Sequence, residues 1–296
     1  MDGRKRNVKI LPYLAAMTTV LFWASAFPAV KYVLDYFSAG ALMLLRFGVA
    51  SVVLLAVCAI KRTPLPKLRD LPLFALCGVV GITLYMWMFN TGTDLVAAGI
   101  SGFIIASVPV FTLILSIIFL KEKAKALVWL GVLVSFGGIV IIASTQITEG
   151  FAVNAGVWIL LAAALVAGIF IITQRLLLRK YSVLQATAYP IVIATAFMLF
   201  FLPDLVREMS YATFAPIAIV VYLGVFPAAL AYLTWGFALA NAKKTVHITS
   251  FLYLSPFLAS IMAFLWLGEE LPFLAIIGGV VVVGGMVITN VVKSST

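Results

Sequence analysis

Pairs of aromatic side chains within long apolar runs are the residues of this chain best suited to binding a small molecule. The pairs are Trp23 with Phe27, Tyr85 with Phe89, and Tyr232 with Trp235. Members of a pair are three or four residues apart, so they share one face of a helix. Such faces suit a mostly apolar cavity for a neutral or zwitterionic ligand, and aromatic rings also attract cations. Tryptophan and tyrosine also populate membrane interfaces, which remains the alternative interpretation.

Two prolines, Pro109 and Pro256, each lie about midway along an apolar run, and hydroxyl residues flank them. Ser107 lies two residues before Pro109, and Tyr253 and Ser255 precede Pro256. Proline removes a backbone hydrogen bond and bends or breaks a helix. The freed carbonyl groups can face a cavity but not lipid. The pattern therefore predicts helix breaks beside a binding site, although prolines are also common in membrane helices generally.

Arg46 is the one charged residue within an apolar run. On insertion scales, placing an arginine at the centre of a membrane helix costs about 2.5–3.5 kcal/mol of free energy. We therefore expect the Arg46 side chain to face protein or water. It could bind a carboxylate or gate a cavity, or it could pair with backbone carbonyls between helices, and both interpretations stay open. Pro28, in the first apolar run, is a further candidate for gating or helix breaking.

The residue types argue against catalysis. His247 is the single histidine, so the chain cannot form a histidine-based metal site or catalytic triad by itself. No glycine-rich phosphate loop ending in Lys-Ser or Lys-Thr is present, which argues against ATP as an energy source. We therefore expect no catalytic residues, no cofactor and no metal.

Apolar segments make up most of the chain and must position these residues. Of 296 residues, 65% are hydrophobic and 10% are charged, against about 45–50% and about 25% in soluble domains. This composition excludes a water-soluble enzyme, a disordered chain and a DNA-binding domain, so no nucleic-acid partner is expected despite the net charge of +10. A membrane helix needs about 20 apolar residues. The predicted spans are 10–31, 39–60, 71–91, 97–120, 126–145, 155–175, 184–202, 213–236, 246–267 and 272–292.

The distribution of charge predicts the orientation of these ten helices. With a cytoplasmic amino terminus, 17 of the 20 Lys and Arg residues fall in cytoplasmic segments, two in outer segments and one within a span. Basic residues concentrate on the cytoplasmic side of membrane proteins. Seven of the ten acidic residues fall outside. Both termini are therefore predicted to be cytoplasmic.

An internal repeat relates the two halves of the chain at an offset of 147 residues. Over residues 109–141 this offset gives 11 identities in 33 positions. Pro109 matches Pro256, Glu122 matches Glu269, and Gly137-Gly138 matches Gly284-Gly285. Five spans per half is an odd number, so the halves, 1–148 and 149–296, must cross the membrane in opposite directions. Inverted repeats of this kind are typical of alternating-access carriers, whose substrate binds between the halves.

The sequence resembles the EamA-type branch of the drug/metabolite transporter superfamily. The resemblance rests on residues 21–27 (LFWASAF), on Leu45-Arg46-Phe47, and on the pattern from Pro109 through Leu120-Lys121-Glu122 to Gly137-Gly138 with its second copy. It covers essentially the whole chain. It implies an exporter of small metabolites in the bacterial inner membrane, most similar to amino-acid exporters, including those for aromatic amino acids. It also implies a cavity lined by spans 1, 3, 4, 6, 8 and 9, with spans 5 and 10 at the periphery.

These observations together predict an all-α membrane protein that exports amphipathic metabolites, amino acids first among them. Its expected partners are a small-molecule substrate and the lipid bilayer, with the protein a monomer or homodimer. No Asp or Glu lies near the centre of a span, where proton-coupled carriers commonly place one. This favours facilitated diffusion over proton coupling through His247. A drug or organic-cation exporter, a proton-coupled metabolite antiporter, a channel and an intramembrane enzyme remain alternatives.

Overall fold

The computed structural model describes residues 2–120, 126–145, 154–241 and 250–293, and all regular elements in these ranges are helical. The α-helices are α1 (Asp2–Val33), α2 (Ala39–Ile60), α3 (Leu71–Ala75), α4 (Tyr85–Leu95), α5 (Ala98–Ile105), α6 (Val108–Leu120), α7 (Ala126–Ser144), α8 (Ala155–Leu178), α9 (Val183–Met198), α10 (Leu202–Met209), α11 (Phe214–Leu223), α12 (Ala231–Asn241), α13 (Ser255–Leu267) and α14 (Phe273–Lys293). Short 3₁₀ segments occupy Leu68–Asp70, Leu199–Phe201 and Ser250–Leu254.

Seven helical segments within the described residues are long and apolar enough to cross a membrane. They are Ile10–Val33, Ala39–Ile60, Leu68–Leu95, Ala98–Leu115, Ala155–Leu178, Val183–Met209 and Phe214–Asn241. Three shorter apolar helices, Trp129–Ile142, Ser255–Leu267 and Phe273–Gly285, occupy the positions of the other predicted spans. The prediction of a helical membrane protein is therefore confirmed. Seven of the ten predicted segments are long enough in the described residues to cross a membrane.

Polar side chains at the helix ends fix several of the boundaries. The Ser38 hydroxyl accepts a hydrogen bond from the Ala41 amide at the start of α2. Ser182 and Gln185 form a capping box at the start of α9. Such caps satisfy amide groups that have no partner within the helix. At the end of α13, Gly268 adopts a left-handed conformation (φ 68°) that lets the chain turn sharply.

The predicted span 97–120 is two helices. α5 ends at Ile105, and α6 begins at Val108 with Pro109 as its second residue. Pro256 is likewise the second residue of α13. A proline in the first turn of a helix gives up no intrahelical hydrogen bond. Both prolines therefore start a helix instead of bending one.

Pro28 differs from this pair. α1 continues through Pro28 to Val33, so the predicted helix break at Pro28 is wrong. Membrane helices tolerate an internal proline where neighbouring groups satisfy the freed carbonyl.

Two π-helical segments, Leu76–Leu84 and Gly224–Leu230, interrupt the helices that contain them. The first joins α3 to α4 and the second joins α11 to α12. The offset of 147 residues places the first segment on residues 223–231, so the interruptions occupy equivalent positions in the two halves. π-Helical turns carry an extra residue per turn and are frequent at functional sites.

The helices pack in pairs, and the offset of 147 residues relates one pair to another. α1 packs against α12 and α4 packs against α8. The offset places α4 on α12 and α1 on α8, so each pair is the counterpart of the other. α2 packs on the π-helical segment at 224–230 and α9 on the one at 76–84, again as counterparts. α7 and α14 lie apart from this group and contact mainly each other.

Glycines bring α7 and α14 into backbone contact. A Cβ atom added to Gly138 would lie 2.6 Å from the carbonyl oxygen of Gly278, and one added to Gly285 would lie 2.5 Å from that of Gly131. Gly138 and Gly131 in α7 correspond to Gly285 and Gly278 in α14 at the offset of 147. Each of the two contacts is therefore the repeat counterpart of the other. The Ser135 hydroxyl donates to the carbonyl of Val282, its own counterpart, over 3.1 Å. The positions that touch between these two helices are therefore paired with each other by the offset.

We expect Gly138→Ala to lower the free energy of unfolding by about 1–3 kcal/mol, because the new methyl group would collide with backbone across a packed interface. Gly137→Ala is the matched control, since a Cβ atom there meets nothing within 4 Å. Thermal unfolding of the detergent-solubilised variants measures the difference. Equal melting temperatures for the two variants would contradict the close helix approach.

Candidate functional site

A cavity lies where the helix interruptions meet, with about 900 Å³ of space free of protein atoms, part of which is open to solvent. Its walls come from α1, α2, α4, α8 and α12, together with the break between α5 and α6 and the start of α13. The lining residues are Trp23, Ala26, Phe27, Arg46, Gly81, Tyr85, Met86, Phe89, Gly102, Ile105, Ala106, Val108, Pro109, Ala167, Phe170, Ile171, Tyr232, Trp235, Leu252 and Ser255.

The structure places nine of the thirteen residues singled out from the sequence on this lining. They are Trp23, Phe27, Arg46, Tyr85, Phe89, Pro109, Tyr232, Trp235 and Ser255. The helical pairs converge from α1, α4 and α12, which are distant in sequence but meet around one space.

Three of the remaining four lie outside the lining. The fully buried Ser107 donates its hydroxyl hydrogen to the carbonyl of Ile104 over 2.6 Å, so it closes the break between α5 and α6 and does not face the cavity. Pro256 packs against α5 beside Gly102, and Pro28 lies within α1. The side chain of Tyr253 lies outside the described part of the chain, as does His247.

Tyr232 is the centre of the aromatic wall. Its ring lies 5.6 Å from that of Trp23 and 5.6 Å from that of Phe170, both edge-on, with centroid distances in the range of favourable aromatic pairs. Trp235 stands 5.2 Å from Trp23 on the same side.

A second aromatic group lines the cavity from α1 and α4. Phe27 and Phe89 meet edge to face at 5.2 Å, and Tyr85 stacks on Phe89 at 5.9 Å. The two groups give the cavity walls that are rigid and mostly apolar.

The two neighbouring tryptophans differ in their hydrogen bonding. The Trp23 indole N–H donates to the carbonyl of Pro227, 3.2 Å away, in the π-helical segment. Trp235 is 1% exposed, and its indole N–H has no partner among the described residues. One ring is therefore fixed by the protein, whereas the other keeps a free donor beside the cavity.

Arg46 brings a buried positive charge to the cavity. Its side chain is 2% exposed, and its guanidinium lies 5.6 Å from the centre of the Phe47 ring. Nη1 is 3.8 Å from the Met86 sulfur, and Nε has no hydrogen-bond partner. Within the described residues, the ion pairs join Lys180 with Asp70 and Arg207 with its neighbours Asp204 and Glu208, and none reaches Arg46.

The expected alternative for Arg46, pairing with backbone carbonyls between helices, is therefore absent from the part of the protein that the structure describes. A guanidinium has five N–H donors. A cationic group held in an apolar cavity without a counter-ion can bind an anionic group of a ligand.

Glu269 anchors the cavity wall from the loop after α13. Its carboxylate accepts hydrogen bonds from the amides of Ala98 and Gly99, at 3.2 and 3.4 Å, at the amino terminus of α5. Acidic groups stabilise this end of a helix. The other end of α5, at Ile105, lines the cavity, so Glu269 helps to hold that wall in place.

Sequence reasoning missed Phe170 and Met86. Phe170 is the counterpart of Trp23 at the offset of 147, and Leu252 is the counterpart of Ile105. Applying the repeat to Trp23 would have found Phe170. Met86 follows Tyr85 directly and carries no comparable signal.

We expect Arg46→Met to raise the free energy of unfolding of the substrate-free protein by about 1–4 kcal/mol, the range seen when buried ionic groups give way to apolar ones of similar volume. Arg46→Lys, which keeps a buried charge, serves as the control and should show no such increase. Melting temperatures in detergent give the comparison. A lower melting temperature for Arg46→Met would mean that the guanidinium holds the fold together.

Comparison with known proteins places this architecture among transporters. The EamA-like transporter family matches residues 10–144 and 154–291. A protein of Streptantibioticus cattleyicolor, named a probable terminal-alkyne amino-acid exporter, is 37% identical over 276 residues, covering 93% of this chain and 92% of that protein. An uncharacterized transporter of Bacillus subtilis is 33% identical over 97% of this chain and 92% of its own.

A solved crystal structure shares the fold. It superposes with a TM-score of 0.67 and covers 95% of this chain and 96% of its own, at 16% sequence identity.

Proposed function

Because the chain belongs to the EamA-like transporter family, we propose that this multi-pass membrane transporter exports small amphipathic metabolites, amino acids first among them, through the cavity around Tyr232. The observation that carries the proposal is Arg46, a buried guanidinium that lines an apolar cavity and has no acidic partner among the described residues. A substrate carboxylate would supply the missing counter-charge.

An α-amino acid fits the rest of the lining, whose mostly apolar walls suit the carbon atoms of its side chain. Its carboxylate would pair with Arg46, and its ammonium group would lie against the faces of Trp23 and Tyr232, where cation–π attraction offsets lost hydration. The remaining walls, including Phe27 and Phe89, would hold the side chain. The relative named as an amino-acid exporter supports the same substrate class.

Alternating access between two inverted five-helix repeats, 1–148 and 149–296, is the mechanism that we propose. The contacts that survive exchange of the halves, at α7 with α14 and at the pairs around the cavity, support it. Carriers of this architecture rock one repeat against the other around a site at the membrane midplane. We place the protein in the bacterial inner membrane, with ten spans and both termini in the cytoplasm, as a monomer or homodimer.

Facilitated transport is the proposed mode, since no Asp or Glu lies near the centre of a predicted span. The same fact, with Arg46 in the cavity, disfavours export of organic cations, whose sites usually contain a negative charge. Proton coupling would need a group such as His247.

We expect counterflow of labelled phenylalanine, threonine or methionine into liposomes that contain the purified protein and are preloaded with the same unlabelled amino acid. An imposed pH gradient should leave the exchange unchanged, because no titrating carboxylate lies in the centre of a span. Liposomes without protein are the control. Accumulation driven by the gradient would contradict facilitated transport, and the absence of exchange with every amino acid would contradict the substrate class.

We expect Arg46→Met to reduce amino-acid counterflow at least tenfold, because a carboxylate would enter the cavity without a partner. Arg46→Lys should retain part of the activity, since it keeps the charge but loses the paired geometry of the guanidinium. Undiminished counterflow in Arg46→Met, in protein that reaches the membrane at normal levels, would exclude Arg46 as the carboxylate-binding residue.

A further inference from the structure

Unsatisfied polar groups concentrate at one end of the cavity. Seven buried side-chain polar atoms in the described residues have no hydrogen-bond partner, and four of them belong to Gln174, Thr187 and Trp235. Both amide atoms of the fully buried Gln174 are among the four. Burying a polar group without a partner is unfavourable, so three residues of this kind at one end of the bundle call for an explanation.

Gln174 lies one helical turn from the cavity. Phe170 and Ile171 line the cavity, and Gln174 follows them by four and three residues, so it shares their face of α8. The contact between Phe170 and Tyr232 aligns α8 with α12 at this level.

Thr187 and Trp235 belong to the same end. A Cβ atom added to Gly236 would lie 3.4 Å from the Thr187 hydroxyl and 3.0 Å from the first residue of α9. Beyond Tyr232, α12 therefore continues toward the end of the bundle where α8 finishes and α9 starts. Trp235 precedes Gly236 and lines the cavity directly. Trp235 therefore lines the cavity itself, whereas Gln174 and Thr187 lie behind the lining, on the two neighbouring helices at the same end of the bundle.

We propose that Trp235, Gln174 and Thr187 form a hydrogen-bonding subsite that selects amino acids whose side chain carries a hydroxyl or amide group. The indole N–H of Trp235 donates to the substrate side chain, and the Gln174 amide both donates and accepts. This inference rests on the proposed function, in which the substrate carboxylate binds Arg46. It adds the residues that would bind the side chain of that substrate.

If the subsite exists, the protein should distinguish two substrates that have the same shape but different hydrogen-bonding groups. Threonine and valine have nearly the same size and differ by a hydroxyl in place of a methyl group. Sites with buried hydrogen-bonding groups discriminate against ligands that leave those groups unpaired. Threonine should therefore compete better than valine, by about twofold to tenfold for one net hydrogen bond.

The experiment measures competition by unlabelled threonine and valine against counterflow of a labelled amino acid in liposomes. Trp235→Phe, which keeps an aromatic ring but removes the N–H, should bring the threonine-to-valine ratio toward one. Trp23→Phe is the matched control, because the Trp23 N–H already binds the carbonyl of Pro227. That variant should weaken both competitors equally and preserve the ratio. Gln174→Leu, which removes both unpaired atoms at similar size, should lower the ratio as Trp235→Phe does.

The possible outcomes separate the two proposals. A wild-type ratio near one, or a ratio that neither Trp235→Phe nor Gln174→Leu changes, would overturn the subsite and leave the proposed function standing. Absence of counterflow with every amino acid would overturn the proposed function and this inference with it. For a variant that does not transport, thermal stabilisation of the detergent-solubilised protein by threonine against valine gives the same ratio.

Discussion

The backbone amides and carbonyls of a membrane helix must form hydrogen bonds within the protein, because lipid offers no hydrogen-bonding partners. In this protein the helices depart from regular α-geometry at the break after Ile105, at the start of α13 and in the two π-helical segments. All of these departures lie where the helices enclose the cavity or in the turns that lead to it. The cavity is therefore the place where irregular backbone is tolerated, and the Pro227 carbonyl shows the benefit: it holds the Trp23 ring in place.

The same constraint gives Arg46 its importance. Packing stabilises most other buried side chains around the cavity, whereas this guanidinium is buried without an acidic partner among the described residues. Under the proposed function, a substrate carboxylate supplies the counter-charge that the empty site lacks. Stability given up in the empty protein is thereby available for binding, which is a common relation between stability and activity at functional sites.

Much of the candidate site could be predicted from the sequence, because helical spacing and the internal repeat can both be recognised from the sequence alone. The pairs that contain Trp23, Tyr85 and Tyr232 were found because each pair shares a helix face within a long apolar run. Ser107 was misjudged, since only the fold shows that its hydroxyl bonds to the backbone at a helix break. The π-helical segments could not be predicted, because an extra residue in a helical turn leaves no mark in an unbroken apolar run.

The contact between α7 and α14 also bears on how the chain arose. When one surface pairs with its own counterpart, a single five-helix protein can form the same interface with a second copy of itself, provided that the two copies insert in opposite orientations. Ser135 and Val282 would then lie on the axis of that ancestral dimer. Fusion of two such genes would free each half to change separately. On the proposed inverted topology, the basic segment at residues 121–125 and its acidic counterpart at 268–270 would each carry the charge that suits its own side of the membrane.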